Sequence, residues 1–324
     1  MQQVFLINPT AGRADASRVL PEQIRAAAQA LSVPVEITVT QYAGHARAIT
    51  EQLARQNEPV RVIACGGDGT LNEVVQAAAG HPQVQVGCMP CGSGNDYVRN
   101  FGAAEEFLDP TAQLTACPVS LDALATSFGP GVDICAAGLD AQVAYGIPKF
   151  RRLPGCGGSM AYTLSIVQTL FSHFGHSIRV TLDGKTHTDT YMMAALCNGQ
   201  QYGGGYCAAP LAVMDDGLMD VLLVKPISRL KVAEFLMRYK KGAHLHPNGV
   251  VDARFAPYLT YTRARRVELE VLDERPLIAT VDGECAPVRT LFAEIIPNGL
   301  TVLLPKTVLE RRPPVLGQQL AVCV

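Results

Sequence analysis

The chain has 324 residues, 48% of them hydrophobic and 17% charged, with a formal net charge of −2. That length provides for about two domains and a large core, and the charge balance excludes a protein held to nucleic acid by overall electrostatics. No run is long and apolar enough to span a bilayer. The start lacks a basic segment with a cleavage-like site, and the ten cysteines are scattered singly, mostly in apolar runs. These features imply a reducing, cytoplasmic setting and no disulfide scaffold.

Strands are predicted over residues 4–7, 35–40, 60–64 and 84–88, with helices over 18–31, 46–56 and 71–79 between them. Strands separated by single helices imply βαβ units in a parallel sheet, with ligand-binding turns beyond the carboxyl ends of the strands. After about residue 125 the pattern changes. Short strands are expected at 131–140, 177–182, 191–197, 218–224, 266–272, 277–281 and 292–296, interrupted by helices at 159–173 and 230–241. That spacing resembles an antiparallel sandwich. The expected plan is a Rossmann-like α/β nucleotide-binding domain over 1–125, then an antiparallel β-sandwich domain over 126–302.

The most informative stretch is the turn Gly66-Gly67-Asp68-Gly69-Thr70, between a buried strand and a helix. Three glycines let the backbone approach a ligand closely, and the helix start favours an anion. Asp68 is costly beside phosphate unless a cation or a reacting proton lies between them. Two further turns follow predicted strands: Asn8-Pro9-Thr10-Ala11-Gly12-Arg13, with Arg18 as a second cation, and Pro90-Cys-Gly92-Ser93-Gly94-Asn-Asp96. Any one of them reads as an ordinary packing turn. Three at successive strand ends converge on one sheet edge and read as a nucleotide site. Cys88 and Cys91 form a single Cys-x-x-Cys pair and read as apolar fillers in place of zinc ligands.

In the second half, Asp215, Asp216 and Asp220 are candidate ligands for a hard cation or solvated turn residues. Asp282-Gly283-Glu284 is first of all a hairpin signal. The helix at 159–173 is apolar on most sides and follows Lys149-Phe-Arg-Arg152. The helix at 230–241 carries Val232, Phe235, Leu236 and Tyr239 on one face and Lys231, Arg238 and Lys241 on another. It suits either an anionic membrane surface or the domain core. His173, His176, His244 and His246 read as surface residues.

Together these motifs resemble the diacylglycerol kinase catalytic-domain family, and within it the bacterial lipid kinases, over nearly the whole chain. Asn8–Gly12 is similar to the family's Asn-Pro-x-x-Gly element and Gly66–Thr70 to its Gly-Gly-Asp-Gly-Thr signature. Pro90–Asp96 is similar to a Pro-x-Gly-Thr-x-Asn-Asp element, with Ser93 in place of threonine. Asn198-Gly199, Gly203–Gly205, Pro210 and Asp216-Gly-x-x-Asp220 resemble its second-domain block, and Asp282-Gly-Glu284 its late Asp-Gly-Glu.

The resemblance implies ATP- and Mg2+-dependent phosphorylation of a lipid hydroxyl, with diacylglycerol as the first candidate. It also implies that the tail at 303–324 returns to the first domain. ATP would be held by Asn8, Pro9, Thr10, Ala11, Gly12, Arg13, Thr40, Gly66, Gly67, Asp68, Gly69, Thr70, Leu71, Asn72 and Ser93. Asp68, Asp96 and Glu284 would organise magnesium and the acceptor hydroxyl, with Glu284 or Asp68 as proton acceptor. A structural metal would lie at Asp216 and the carbonyls of Val213 and Leu218, and Asp122 would join the charged network. The implied partner is a lipid at a membrane surface, met peripherally on the inner face; homo-oligomerisation stays open. The alternatives are a NAD kinase, which shares the glycine signature, and a catalytically silent nucleotide- or lipid-binding protein.

Overall fold

The computed structural model describes the chain apart from residues 13, 14, 152, 154–157, 172–174, 312 and 318–324. β1 (Gln2–Ile7), β2 (Glu36–Val39), β3 (Val60–Gly66) and β4 (Val84–Pro90) are parallel, in the order β2-β1-β3-β4. α1 (Leu20–Leu31), α2 (His45–Arg55) and α3 (Asp68–Ala78) connect them. Because helices cover both faces, β1 from Val4 to Ile7 and β3 from Val62 to Cys65 are continuous apolar runs and do not alternate. Phe5, Ile7 and Ile63 face α1, whose Leu20, Ile24 and Ala28 recur once per turn. Val4, Leu6 and Val62 face the other way, toward Leu53 of α2 and Val74 of α3. The short α4 (Asp96–Arg99) and α5 (Pro110–Leu114) lead to β5 (Cys117–Thr126).

β6 (Gly129–Gly131) pairs with β5, and β7 (Ile134–Gly138) runs directly into α6 (Leu139–Arg151) and α7 (Gly158–Leu170). The segment expected as one strand at 131–140 is therefore broken. Gly138 turns the chain at a φ of +100°, where a Cβ would meet the Met192 carbonyl oxygen at 2.3 Å. β8 (His176–Leu182), β9 (Lys185–Tyr191), β10 (Met193–Cys197), β11 (Gln201–Tyr202), β12 (Tyr206–Cys207) and β13 (Met219–Val224) follow. Then come α8 (Arg229–Lys240), β14 (Leu259–Ala264), β15 (Arg266–Val271), β16 (Leu277–Val281), β17 (Glu284–Val288), β18 (Thr290–Leu304) and α9 (Lys306–Glu310).

β18 joins the two halves. It pairs with β15 near its start, with β5 along most of its length, and in parallel with β4 near its end. One mixed sheet therefore runs β2-β1-β3-β4-β18-β15-β8-β9. Against its second half stands the antiparallel sheet β14-β13-β10-β7-β16-β17. Leu124, Val180, Leu196, Val221, Leu269 and Ala293 fill the sandwich between them. The tail returns to the first core, where Val308 and Val315 pack with Val4 and its neighbours.

α8 closes the outer face of the second sheet. Val232, Phe235 and Tyr239 are buried with Ala136, Ala195 and Leu222. Three of its cations are engaged within the protein: Lys231 and Lys240 lie over the rings of Tyr258 and Tyr206, and Arg238 pairs with Glu234 and Asp252. The face predicted to be apolar is thus packed in the core, while Leu230 and Met237 stay exposed on the other side.

His176 and His244, expected on the surface, are buried. His244 Nε2 meets the Ala208 carbonyl oxygen at 2.9 Å, and burial lowers its pKa to about 4; His173 lies outside the described residues. Seven of the described cysteines are free, and Cys65, Cys88, Cys135 and Cys197 are buried. No described helix is long and apolar enough to cross a membrane.

Candidate active site

The three glycine turns emerge side by side, because β1, β3 and β4 are neighbours and parallel. They are packed backbone to backbone. A Cβ on Gly12 would meet the Cys91 carbonyl oxygen at 2.2 Å, and one on Gly92 would meet the Gly67 Cα at 2.4 Å. Glycine is needed here for close approach. The Cys91 N–H donates to the Gly66 carbonyl at 2.7 Å. Asn8 links the first two turns: its Nδ2 donates to Thr70 Oγ1 at 3.0 Å, and its Oδ1 accepts from the N–H and hydroxyl of Thr10. The Thr40 N–H donates to the Ile7 carbonyl at 2.8 Å, which places Thr40 at the foot of the first turn, next to Asn8, Pro9, Ala11 and Gly12.

The expected nucleotide residues divide into two sets. Thr10, Gly12, Gly69 and Ser93 are exposed on the turns. Leu71 and Asn72 turn inward: Leu71 is in the core, its N–H donates to the Gly67 carbonyl, and Asn72 Oδ1 accepts from Gln76. Thr70 is buried beneath Asn8. Arg13 lies outside the described residues.

Four carboxylates gather where the turns face the second sheet. Asp68 opens α3, and its Oδ1 accepts the Asp96 N–H at 2.7 Å. The Asp96 carboxylate accepts the N–H groups of Gly204 (2.9 and 3.0 Å) and Gly205 (3.1 Å), so it ties α4 to the β11–β12 loop. Asp282 has a φ of +47° and Gly283 +93°, the pattern of a tight β-hairpin turn. Its carboxylate also accepts from Val132 (2.8 Å), Asp133 (3.1 Å) and Ile134 (3.0 Å). Asp133 is buried and accepts from Asn100 Nδ2 at 3.1 Å. Asn100 Oδ1 in turn accepts from Gln200 and Gln201, a second tie between the halves.

Burial is the main cause that raises the carboxyl pKa values of Asp96, Asp133 and Asp282, and the charge of Asp68 adds to the rise at all three. Asp133 is pushed well above the usual carboxylate range, with Asp282 the largest of the neighbouring charges. Such coupling in a cleft marks a site that works with a cation or a proton. Arg99 Nε stands 3.8 Å from Asp96 Oδ1. Glu284 begins β17, exposed, and its carboxylate has no hydrogen-bond or ion-pair partner among the described residues. It is paired across the hairpin with Val281, two residues from the Asp282 carboxylate.

The sequence reading did not single out Asp133 or Asn100, and it took Asp282 only as a turn residue. No motif surrounds Asp133. Its significance comes from β7 meeting the Asp282 hairpin.

For magnesium the donor set fits in a restricted sense. Asp96 shares its carboxylate with the N–H groups of Gly204 and Gly205. Asp68 Oδ2 accepts no hydrogen bond among the described residues. Magnesium is commonly held by one or two carboxylates together with phosphate oxygens and water, and Asp68 suits that part. No group of three metal-binding side chains occurs among the described residues.

The structural-metal residues do not fit. Asp216 Oδ1 accepts the Leu218 N–H at 3.1 Å, and its Oδ2 pairs with Arg263. Arg263 Nε also lies 3.8 Å from Asp220 Oδ1, so a guanidinium supplies the positive charge beside Val213 and Leu218. Asp122 accepts the N–H groups of Gly217 (2.7 Å) and Asn298 (2.9 Å), clamping this loop to an irregularity in β18.

Comparison with known proteins decides the family. Residues 2–124 match the diacylglycerol kinase catalytic domain, and residues 133–304 match the YegS C-terminal NAD kinase beta sandwich-like domain. The chain belongs to the bacterial diacylglycerol and lipid kinase family. It is a kinase. A "Probable lipid kinase YegS-like" of Shewanella frigidimarina is 29% identical over 265 residues, 80% of each chain. A diacylglycerol kinase of Bacillus subtilis is 25% identical, over 86% of this chain and 88% of its own. The crystal structure of a diacylglycerol kinase from Bacillus anthracis superimposes with a TM-score of 0.66, covering 95% of this chain and 98% of that one at 18% identity.

Proposed function

We propose that this kinase transfers the γ-phosphoryl group of ATP to the free hydroxyl of diacylglycerol, giving phosphatidic acid, at the inner face of a membrane. The observation that carries this reading is the meeting of Asp68, at the foot of the three glycine turns, with the Asp282–Glu284 hairpin of the second sheet. The turns offer backbone N–H groups to phosphates. Magnesium, held by Asp68 with phosphate oxygens, would neutralise charge on the transferring group. Asp96 and Asn100 fix the two walls of the cleft relative to each other, which is the positioning that phosphoryl transfer needs.

Glu284 is the proposed proton acceptor. Its exposed carboxylate takes the acceptor's proton as the hydroxyl oxygen bonds to phosphorus and ADP leaves. Asp68, already accepting the Asp96 N–H, serves the cation and the phosphates in this scheme. Relatives described as lipid kinases favour a lipid over NAD as acceptor.

The test is incubation with γ-labelled ATP, magnesium and, separately, dioctanoylglycerol, phosphatidylglycerol, sphingosine and NAD. Label on dioctanoylglycerol is expected. Label on NAD alone, or on no acceptor, would overturn the reading.

A further inference from the structure

We propose that Asp140 and Tyr202 are positioning residues for the magnesium site, acting on Asp68 through the Gly203–Gly205 loop; this rests on the reading of Asp68 as the residue that serves the cation. Asp140 is fixed by the end of β7. Gly138 turns the chain there, the Leu139 N–H donates to the Met192 carbonyl at 2.9 Å, and α6 begins. Asp140 Oδ1 then accepts the Ala141 N–H at 2.8 Å, while its Oδ2 accepts the Tyr202 hydroxyl at 2.5 Å. A carboxyl withdrawn from water costs stability unless it is bonded. The bond from a hydroxyl to a carboxylate is charge-assisted, and so shorter and stronger than a neutral one.

Tyr202 ends β11 and pairs with Tyr206 of β12. The three glycines between them have φ of +60°, +79° and +94°. A Cβ on Gly204 would meet nothing within 4 Å, so glycine serves the conformation here and not the close approach seen at Gly92. That conformation turns the N–H groups of Gly204 and Gly205 onto one carboxylate, that of Asp96.

From Asp96 the chain of contacts reaches the cation's residue. The Asp96 N–H donates to Asp68 Oδ1 at 2.7 Å, and Asp68 Oδ2 lies against Gly94, where a Cβ would meet it at 2.6 Å. A shift of the loop therefore moves Asp96, and a shift of Asp96 turns the carboxylate of Asp68.

The neighbouring ties show why the hydroxyl matters. Just before Tyr202, the N–H groups of Gln200 and Gln201 donate to Asn100 Oδ1 at 2.7 and 3.1 Å, which binds this segment to the first half of the molecule. The Tyr202 hydroxyl binds it to α6 and the second sheet. The Tyr202 ring leans edge-on against Tyr239, with centroids 6.4 Å apart and the two hydroxyl oxygens 3.3 Å apart. That contact fills space, while the shorter bond to Asp140 sets the direction of the side chain.

Calorimetric titration of a non-hydrolysable ATP analogue, with and without magnesium, tests this in wild type, Tyr202→Phe, Asp140→Asn and the double variant Asp140→Leu/Tyr202→Phe. The double variant removes carboxyl and hydroxyl together, so it strands no charge where the single variant folds poorly. Magnesium should strengthen binding to wild type by about tenfold or more. That enhancement should fall by about threefold or more in Tyr202→Phe and in the double variant. Asp140→Asn keeps an oxygen that accepts the Tyr202 hydroxyl and should keep the enhancement. In metal-free protein the amides of Gly204, Gly205 and Asp96 should exchange about tenfold faster in Tyr202→Phe. A purely structural role would lower the melting temperature and leave the enhancement of the folded protein intact, so wild-type enhancement in Tyr202→Phe or the double variant would overturn the proposal. So would its loss with those three amides unchanged, since the effect would then bypass the loop, or its loss in Asp140→Asn. Absence of enhancement in the wild type would instead overturn the role of Asp68 on which the proposal stands.

Discussion

Two acidic clusters stand in this molecule, and they handle negative charge in different ways. In the loop at 213–220, Asp216 and Asp220 are offset by Arg263, Tyr261 donates to Asp220, and Asp122 is satisfied by backbone N–H groups. In the cleft, burial and the charge of Asp68 raise the proton affinity of Asp96, Asp133 and Asp282, and the one cation paired with the four among the described residues is Arg99, at the rim. In the first arrangement burial still raises the pKa values of Asp122, Asp215 and Asp220, but Arg263 supplies a cation of the protein's own, which suits a structural joint. The second leaves a place for charge that arrives with the substrate. An acidic cluster is informative about function only once its compensating cations have been counted.

The largest expected effect separates the clusters directly. Asp68→Ala should lower turnover on dioctanoylglycerol by roughly a thousandfold or more, with an unchanged circular dichroism spectrum and melting temperature; wild-type turnover would remove Asp68 from the site. Glu284→Gln should reduce kcat by about 10²- to 10⁴-fold with little change in the KM for ATP. A rise in KM at constant kcat would show Glu284 to be a binding residue.

Arg263→Met works on the other cluster. It should destabilise the fold by about 1–3 kcal/mol, because Asp216 and the buried Asp220 lose their cation. Magnesium should restore part of the melting temperature in this variant while leaving that of the nucleotide-free wild type unchanged. A wild type that melts several degrees lower in chelator would show that a metal is bound there after all.

A smaller effect concerns the joint between α6 and the glycine loop. Burial pushes the Asp140 carboxyl up to about 6, against 3.8 when unperturbed, with the Tyr202 hydrogen bond opposing the rise. The folded protein thus keeps a proton that the unfolded chain releases between about pH 4 and 6. This group's contribution to stability falls as pH rises through that window and is level above it. Asp140→Asn cannot ionise, so its stability relative to wild type should increase on the order of 2 kcal/mol from pH 4 to 7, followed by calorimetry. A pH-independent difference would show that Asp140 does not titrate in this range.

What the sequence disclosed follows the same division. The glycine turns were legible because backbone contact such as Gly12 against Cys91 or Gly67 against Gly92 admits no other residue, and such constraints leave a local signature. The central parallel strands β1 and β3 were legible because burial on both faces leaves apolar runs at Val4–Ile7 and Val62–Cys65. Asp133 was not, since its role depends on a hairpin about 150 residues away in sequence. Most of β18 was also hidden. Pro297-Asn298-Gly299 reads as a turn, yet it is an irregularity within one long strand, with Asn298 at a φ of +51° and its N–H held by Asp122. The strand expected at 131–140 ran into the first residues of α6 because Leu139 is as apolar as β7 before it.

The most direct measurement is calorimetric titration of a non-hydrolysable ATP analogue into wild type and Asp68→Ala, each with and without magnesium. If the cleft is the cluster that awaits a cation with its substrate, magnesium should strengthen binding to wild type by at least about tenfold and have no such effect in Asp68→Ala. Equal magnesium dependence in the two proteins, or none in either, would contradict the assignment of the cleft as the catalytic centre organised by Asp68.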